Sequence, residues 1–276
     1  MNKTFWLVTL VFHLFIPELI AQSFNSLLGD ESILYAQTKQ MNQFFRRFNA
    51  EESTSGERYY PGERNYRNPV LRKSYLNILF DNQNASMTEP LRDQFISDIM
   101  KASKPAYLDF HGGQWFAEVS TRFLFMGKEE TITLYLKIEE ENQGYKWVIS
   151  NVYFNQFQHM FHNQDSENQR FLHPLSHELD FMNLVKVFKD KEYVEQYTAS
   201  DYHPDYLTLF LYEFKKGNLV FNTVTGLKFH FFQVPGWYFE VSEFNRPGTN
   251  SGWLISTMLK LNENDKGLLL KYLYHE

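Results

Sequence analysis

Gly113-Gln114-Trp115-Phe116-Ala117-Glu118-Val119 and Gly236-Trp237-Tyr238-Phe239-Glu240-Val241 are two copies of one short pattern. In each, a glycine precedes a tryptophan that enters an alternating apolar run, and a Glu-Val pair follows the aromatics. Apolar residues at every second position mark a strand with one buried face. Each copy stands ahead of a further strand-like run. The repetition predicts a chain made of two related halves, each a folding unit.

Outward from the first copy, the chain continues as a meander. Trp115 to Met126 reads as a long strand with Gly127-Lys128 as its turn. Thr131 to Glu139 alternates, Asn142-Gln143-Gly144 turns the chain, and Tyr145 to Phe154 reads as the last strand. Upstream, Tyr107 to His111 reads as a strand closed by Gly112-Gly113. Ahead of it the period is helical. Met41, Phe44, Phe45 and Phe48 form one stripe of a helix from Thr38 to Asn49. Asn68-Pro69 opens a second helix, Asn as N-cap and Pro in the first turn. A third runs from Glu89 to Ala102, with Thr88 placed to cap it.

The second half follows the same plan. Ser176 caps a helix over 177–189, and His203-Pro204 opens another that Gly217-Asn218 ends. Val220 to Val234 is strand-rich with Gly226 as a break; Trp253 to Leu261 and Leu268 to Tyr274 complete the strands. The domain expectation is 22–157 for the first unit, a polar linker over 158–175, and 176–276 for a smaller second unit. The fold class is α+β: two similar halves, each with N-terminal helices packed on a curved antiparallel sheet.

Composition narrows the function classes. The chain has 276 residues and is 18% aromatic, which supports large cores. Its net charge of -6 opposes non-specific binding to nucleic acid and docking on anionic lipid. Residues 1–21 read as an export signal: Lys3, an apolar run from Phe5 to Ile16, then Pro17 and a small residue at Ala21. The run is short for a membrane span of about 20 residues, so the expectation is a periplasmic or secreted protein with no span after cleavage, or one that keeps the segment as an anchor. The absence of cysteine excludes thiol nucleophiles, Cys-based zinc sites and lipid attachment through a cysteine.

The helical stripe Met41-Phe44-Phe45-Phe48, the strands from Trp115 to Phe154 and the closing run from Gly144 to Val152 resemble the nuclear-transport-factor-2-like superfamily, with its SnoaL-like members. The export segment ending Ala21-Gln22 is similar to those of secreted Bacteroidetes proteins. The resemblance implies cones in which N-terminal helices pack into a curved sheet. It also implies small-molecule isomerases and dehydratases alongside non-catalytic binders, and pairing of two cones through their sheets. Two halves in one chain would form that pairing internally, as a pseudo-dimer.

Candidate chemistry is sparse. Asp109 and His111 alternate along one expected strand, which makes them a candidate acid/base pair; the alternative is a solvated sheet face. The loop over 50–68 carries Arg58, Arg64 and Arg67 among Tyr59 and Tyr60, a set suited to an anionic or sugar-like ligand. Glu51, Glu52, Glu57 and Glu63 balance those arginines in the alternative reading of a solvated loop. Glu118 and Arg122 share a strand face, as a pocket pair or as a surface salt bridge. His159, His162, His173 and His177 are the one histidine cluster, but Pro174 separates the last two from a common helix and no HExxH pattern occurs. No metal or cofactor is therefore expected, and no phosphate loop or nucleophile elbow is present. The leading expectation is an exported, non-catalytic binding or envelope-assembly protein, its partner a small molecule or an envelope protein, with a homo-oligomer as a further possibility. The alternative is a small-molecule isomerase or hydrolase with its pocket in the first unit.

Overall fold

The protein is described here by a computed structural model covering residues 41–142, 144–161, 170–172, 184–189, 191–248 and 250–275. The expected export segment and most of the expected linker lie outside these residues, as do His162, His173 and His177. Helix α1 (41–49) buries the expected stripe of Met41, Phe44, Phe45 and Phe48. Helix α2 (Pro69–Ile78) starts where the Asn68 side chain accepts the Val70 and Leu71 amides. In α3 (Glu89–Ile99) Thr88 takes the N-cap position, but its side chain makes no capping bond. Pro90 at the second helical position removes one of the two amides that such a cap can receive and leaves that of Leu91.

The strands are β1 (Trp115–Phe125), β2 (Lys128–Glu141), β3 (Gly144–Tyr153), β4 (Leu219–Phe231), β5 (Trp237–Phe244) and β6 (Gly252–Lys260). They form a six-stranded sheet in the order β3-β2-β1-β4-β5-β6, antiparallel throughout. Between β3 and β4 lie α4 (Asn155–Gln158), α5 (Leu184–Lys189), the 3-10 turn Val194–Tyr197 and α6 (Tyr206–Lys215). Helix α7 (Glu263–Tyr274) follows β6. The α+β class stands. The division into two separately covered sheets does not appear among the described residues. Instead β1 and β4 pair from Trp115↔Phe231 to Phe125↔Leu219 and join the two meanders.

Alternation along the strands sends side chains to two faces. One face carries Trp115, Ala117 and Val119 of β1 with Phe229, Phe231, Phe239, Val241 and Ile255, and α1–α3 pack on it. Helices from before the linker thus cover strands from after it. Further along the same face, Phe123 and Ile132 pack with Phe157 of α4 and Phe210 of α6. The opposite face carries Phe116, Tyr135, Tyr238 and the following Phe232, against α7.

Three sequence expectations are corrected. Tyr107 to His111 is not a strand. Side chains take the place of a strand partner: Asn49 brackets the Leu108 amide and carbonyl at 2.9 and 2.8 Å. Gln233 does the same for Asp109 at 3.0 and 2.6 Å. Leu268 to Tyr274 belongs to a helix, because Asn262 caps the Asp265 amide and Leu269, Leu270, Leu273 and Tyr274 share one helical side. Gly226 does not break β4; it lies opposite Ser120 beside a shift in register, a bulge that lets the strand run on.

Both sheet edges are blunted. The 79–84 segment lies along β6, with Asp81 N–H donating to Ile255 O at 3.0 Å and Ile255 N–H to Leu79 O at 2.7 Å. On β3, the pairing with β2 shifts register between Tyr135 and Leu136, and the Asn151 side chain takes the Val152 amide at 2.7 Å. Exposed edges invite pairing with another chain, and bulges and occupied amides oppose it.

Candidate functional site

A groove of about 800 Å³ lies between α1, the 51–67 loop and residues 107–111. Its walls include Arg58, Arg67, Asp109 and His111, four of the residues expected from sequence. The loop is tied across itself by backbone hydrogen bonds. Glu52 and Arg58 bridge antiparallel, and Ser53 and Tyr59 amides bond across it to Glu57 and Glu51 carbonyls at 2.8 and 2.9 Å. Gly56, with φ of 88°, supplies the left-handed turn.

Charge in the groove is mostly committed. Glu51 receives the Arg67 guanidinium at 2.6 Å. Arg46 pairs with the buried Glu52, and Arg47 approaches the same carboxylate at 3.7 Å. The Tyr107 ring is clasped between the Arg67 and Arg72 guanidiniums, 4.2 and 4.3 Å from its centre. Arg58 differs: its guanidinium lies 6.0 Å from the centre of the Tyr60 ring, and it has no carboxylate partner among the described residues. Asp109 turns one carboxylate oxygen onto the His111 amide at 2.9 Å, and the His111 ring stacks on Tyr145 at 4.0 Å.

The other expected residues lie elsewhere. Arg64 and Tyr60 are exposed and do not line the groove. Tyr59 neighbours Tyr75, whose hydroxyl is pushed up to about 12, first of all by burial. Glu118 and Arg122 belong to the opposite face of the sheet, and their expected pairing is corrected. Glu118 bonds His230 instead, at 2.8 Å, because β4 brings His230 one row away across the β1 pairing. Arg122 lies half-buried opposite Thr131 and Thr223.

Sequence reasoning missed His230. It is fully buried, with Nε2 on the Glu118 carboxylate and Nδ1 on the Tyr238 hydroxyl, both at 2.8 Å. Burial pushes the Glu118 carboxyl up, but the hydrogen bond and charge of His230 outweigh it and hold the group below the ordinary 4.5. Burial also raises the Tyr238 and Tyr135 hydroxyls well above their usual range. A polar residue alternating with Phe229 and Phe231 was the available signal. Its partner 112 residues away was not.

Among the described residues, no three His, Asp or Glu side chains come together as metal ligands, and no helix is long and apolar enough to cross a membrane. Comparison with protein-family models, curated proteins and solved structures gave no match.

Proposed function

We propose that the chain is an exported, non-catalytic binding protein that seats a small anionic or sugar-like ligand in the groove under the 51–67 loop. The observation that carries this reading is Arg58: a guanidinium without a carboxylate partner, lining a groove whose other arginines are neutralised. A ligand carboxylate there gains a charge-assisted contact without displacing an internal one. Asp109 accepts a hydrogen bond from its own turn, and Asn49 uses both ends of its amide on Leu108. A nuclear-transport-factor-2-like fold remains the structural proposal, supported by helices packed on one face of an antiparallel sheet. Envelope assembly and an internal pseudo-dimer are further readings of the same expectation.

The second reading is an enzyme of the isomerase or hydrolase kind. It is favoured by one observation, that Asp109 and His111 line the same groove. Titration of the isotopically labelled protein with glucuronate, glucose and acetate, followed by NMR, separates the readings. Binding predicts shifts confined to 42–67 and 107–111 for the acids, lost in Arg58→Ala. Absence of groove shifts with every probe would reject the proposal, and turnover of a probe lost in His111→Ala would favour the enzyme.

A further inference from the structure

The opposite face of the sheet holds a second polar arrangement, and it is covered. Glu118, His230 and Tyr238 form a continuous chain of carboxylate, imidazole and phenol. It is set in a wall of rings: Phe116 stacks on His230 at 4.8 Å, and Phe232 and Tyr238 lie 5.0 Å apart. A fully bonded buried polar network specifies its surroundings at some cost in stability, and such groups concentrate at sites with a role.

The cover is α7, and its hold is thin. None of its residues is fully buried. Leu269, Leu270, Leu273 and Tyr274 pack half-buried on the ring wall, while Leu268 and Tyr272 stay 68% and 76% exposed. Its polar attachments include Tyr135 Oη donating to Leu273 O at 2.6 Å, Lys266 Nζ reaching Gln114 Oε1 at 3.4 Å, and the same ammonium 6.0 Å from the centre of the Phe232 ring. The ring contacts include Tyr274 stacked on Phe116 at 5.0 Å and edge-on to Tyr135 at 4.9 Å, with His275 on Tyr153 at 3.7 Å. A helix of this length is marginal without its packing, and Gly267 in its interior weakens it further. The sheet beneath has an independent support, since α1–α3 pack on its other face.

The geometry points to α7 as a cover that opens independently of the sheet and, when open, brings the Glu118–His230–Tyr238 chain into contact with solvent. Opening sacrifices a few half-buried contacts and leaves every strand ladder intact, the condition for sub-global opening. Glu118 stays at the rim, with 20% of its side chain exposed. Opening therefore extends an existing polar margin inward to His230 and Tyr238.

Hydrogen exchange of the full chain, read by mass spectrometry, tests the first part. Carbethoxylation of His230 by diethyl pyrocarbonate, with exposed His203 and His111 as internal references, tests the second. The α7 amides are expected to exchange well ahead of those in β1, β4 and β5, with His230 reacting in step with them. Tyr135→Phe removes one hydroxyl and should speed both about fivefold. Gly267→Ala adds a methyl into open space and should slow both about fivefold through helix propensity. If α7 exchanges only at the rate of the sheet in all three proteins, the cover does not exist. If α7 opens but His230 modification follows the sheet instead, the sheltering role falls.

Discussion

Arg72 reaches three backbone carbonyls from within α2: Phe48 at 3.0 Å, Ile99 at 3.4 Å, and Ala106. Those carbonyls belong to the ends of α1 and α3 and to the segment after them, where helices leave acceptors unpaired. One fully buried guanidinium therefore serves several orphan groups, with the Tyr107 ring on its face. Burial pushes its pKa down to about 10, which still leaves it charged at neutral pH. Arg72→Met keeps the aliphatic stem but abandons the carbonyls, and should lower the unfolding free energy in urea by about 2–4 kcal/mol. Glu118 sets an acid limit. Its folded pKa lies below the ordinary 4.5, so its contribution is complete above that value and is lost as pH falls through the folded pKa. Urea midpoints should decline below pH 4.5, and Glu118→Gln should flatten that decline. Asn84, in an Asn-Ala-Ser sequon, donates its amide to Ser256 O at 2.7 Å. That nitrogen is engaged in pinning the 79–84 segment to β6.

At the level of elements, capping separates two helices that look alike in sequence. Asn68 satisfies two amides of α2, whereas the Thr88 side chain satisfies none in α3. Asn68→Ala should therefore cost about 1 kcal/mol in thermal or urea unfolding, and Thr88→Ala should stay within about 0.5 kcal/mol. The contrast was legible only in part. Asn-Pro and Thr-Glu-Pro both read as helix starts; the proline at the second helical position of α3 leaves one amide to cap where α2 offers two. The stretch 107–111 shows a similar limit. Its alternation suited a strand, but Asn49 and Gln233 side chains occupy the backbone groups that a strand would offer. Asp109 and His111 still line one groove with Arg58 and Arg67, for a reason that strand alternation did not contain.

For the whole molecule, the central question is cooperativity. Phe48 of α1 stacks on Phe239 of β5 at 6.0 Å, and Phe95 of α3 meets Trp237 edge-on at 5.2 Å. Arg246, beyond β5, reaches back to Asp81 at 2.6 Å. Contacts of this density between the chain before and after 158–175 predict one unfolding transition. Tryptophan fluorescence, reporting Trp115 and Trp147 on one side and Trp237 and Trp253 on the other, should coincide with circular dichroism in urea. Two separated transitions would instead support independent halves.

Period and punctuation along the chain were sufficient for the α1–α3 helices, for all three strands of each meander up to β6, and for the α+β class, because burial of one face imposes a spacing of two on strands and 3.6 on helices. The two Gly-Trp copies did mark real strands, β1 and β5. Their likeness records a shared local task, a tryptophan entering a buried face. It does not record which strand lies beside which. Strand order, the burial of helices from one half on strands from the other, and the meeting of Glu118 with His230 and of Arg58 with Asp109 all depend on contacts between residues distant in sequence. Local periodicity carries no information about such partners; only the folded chain brings them within reach.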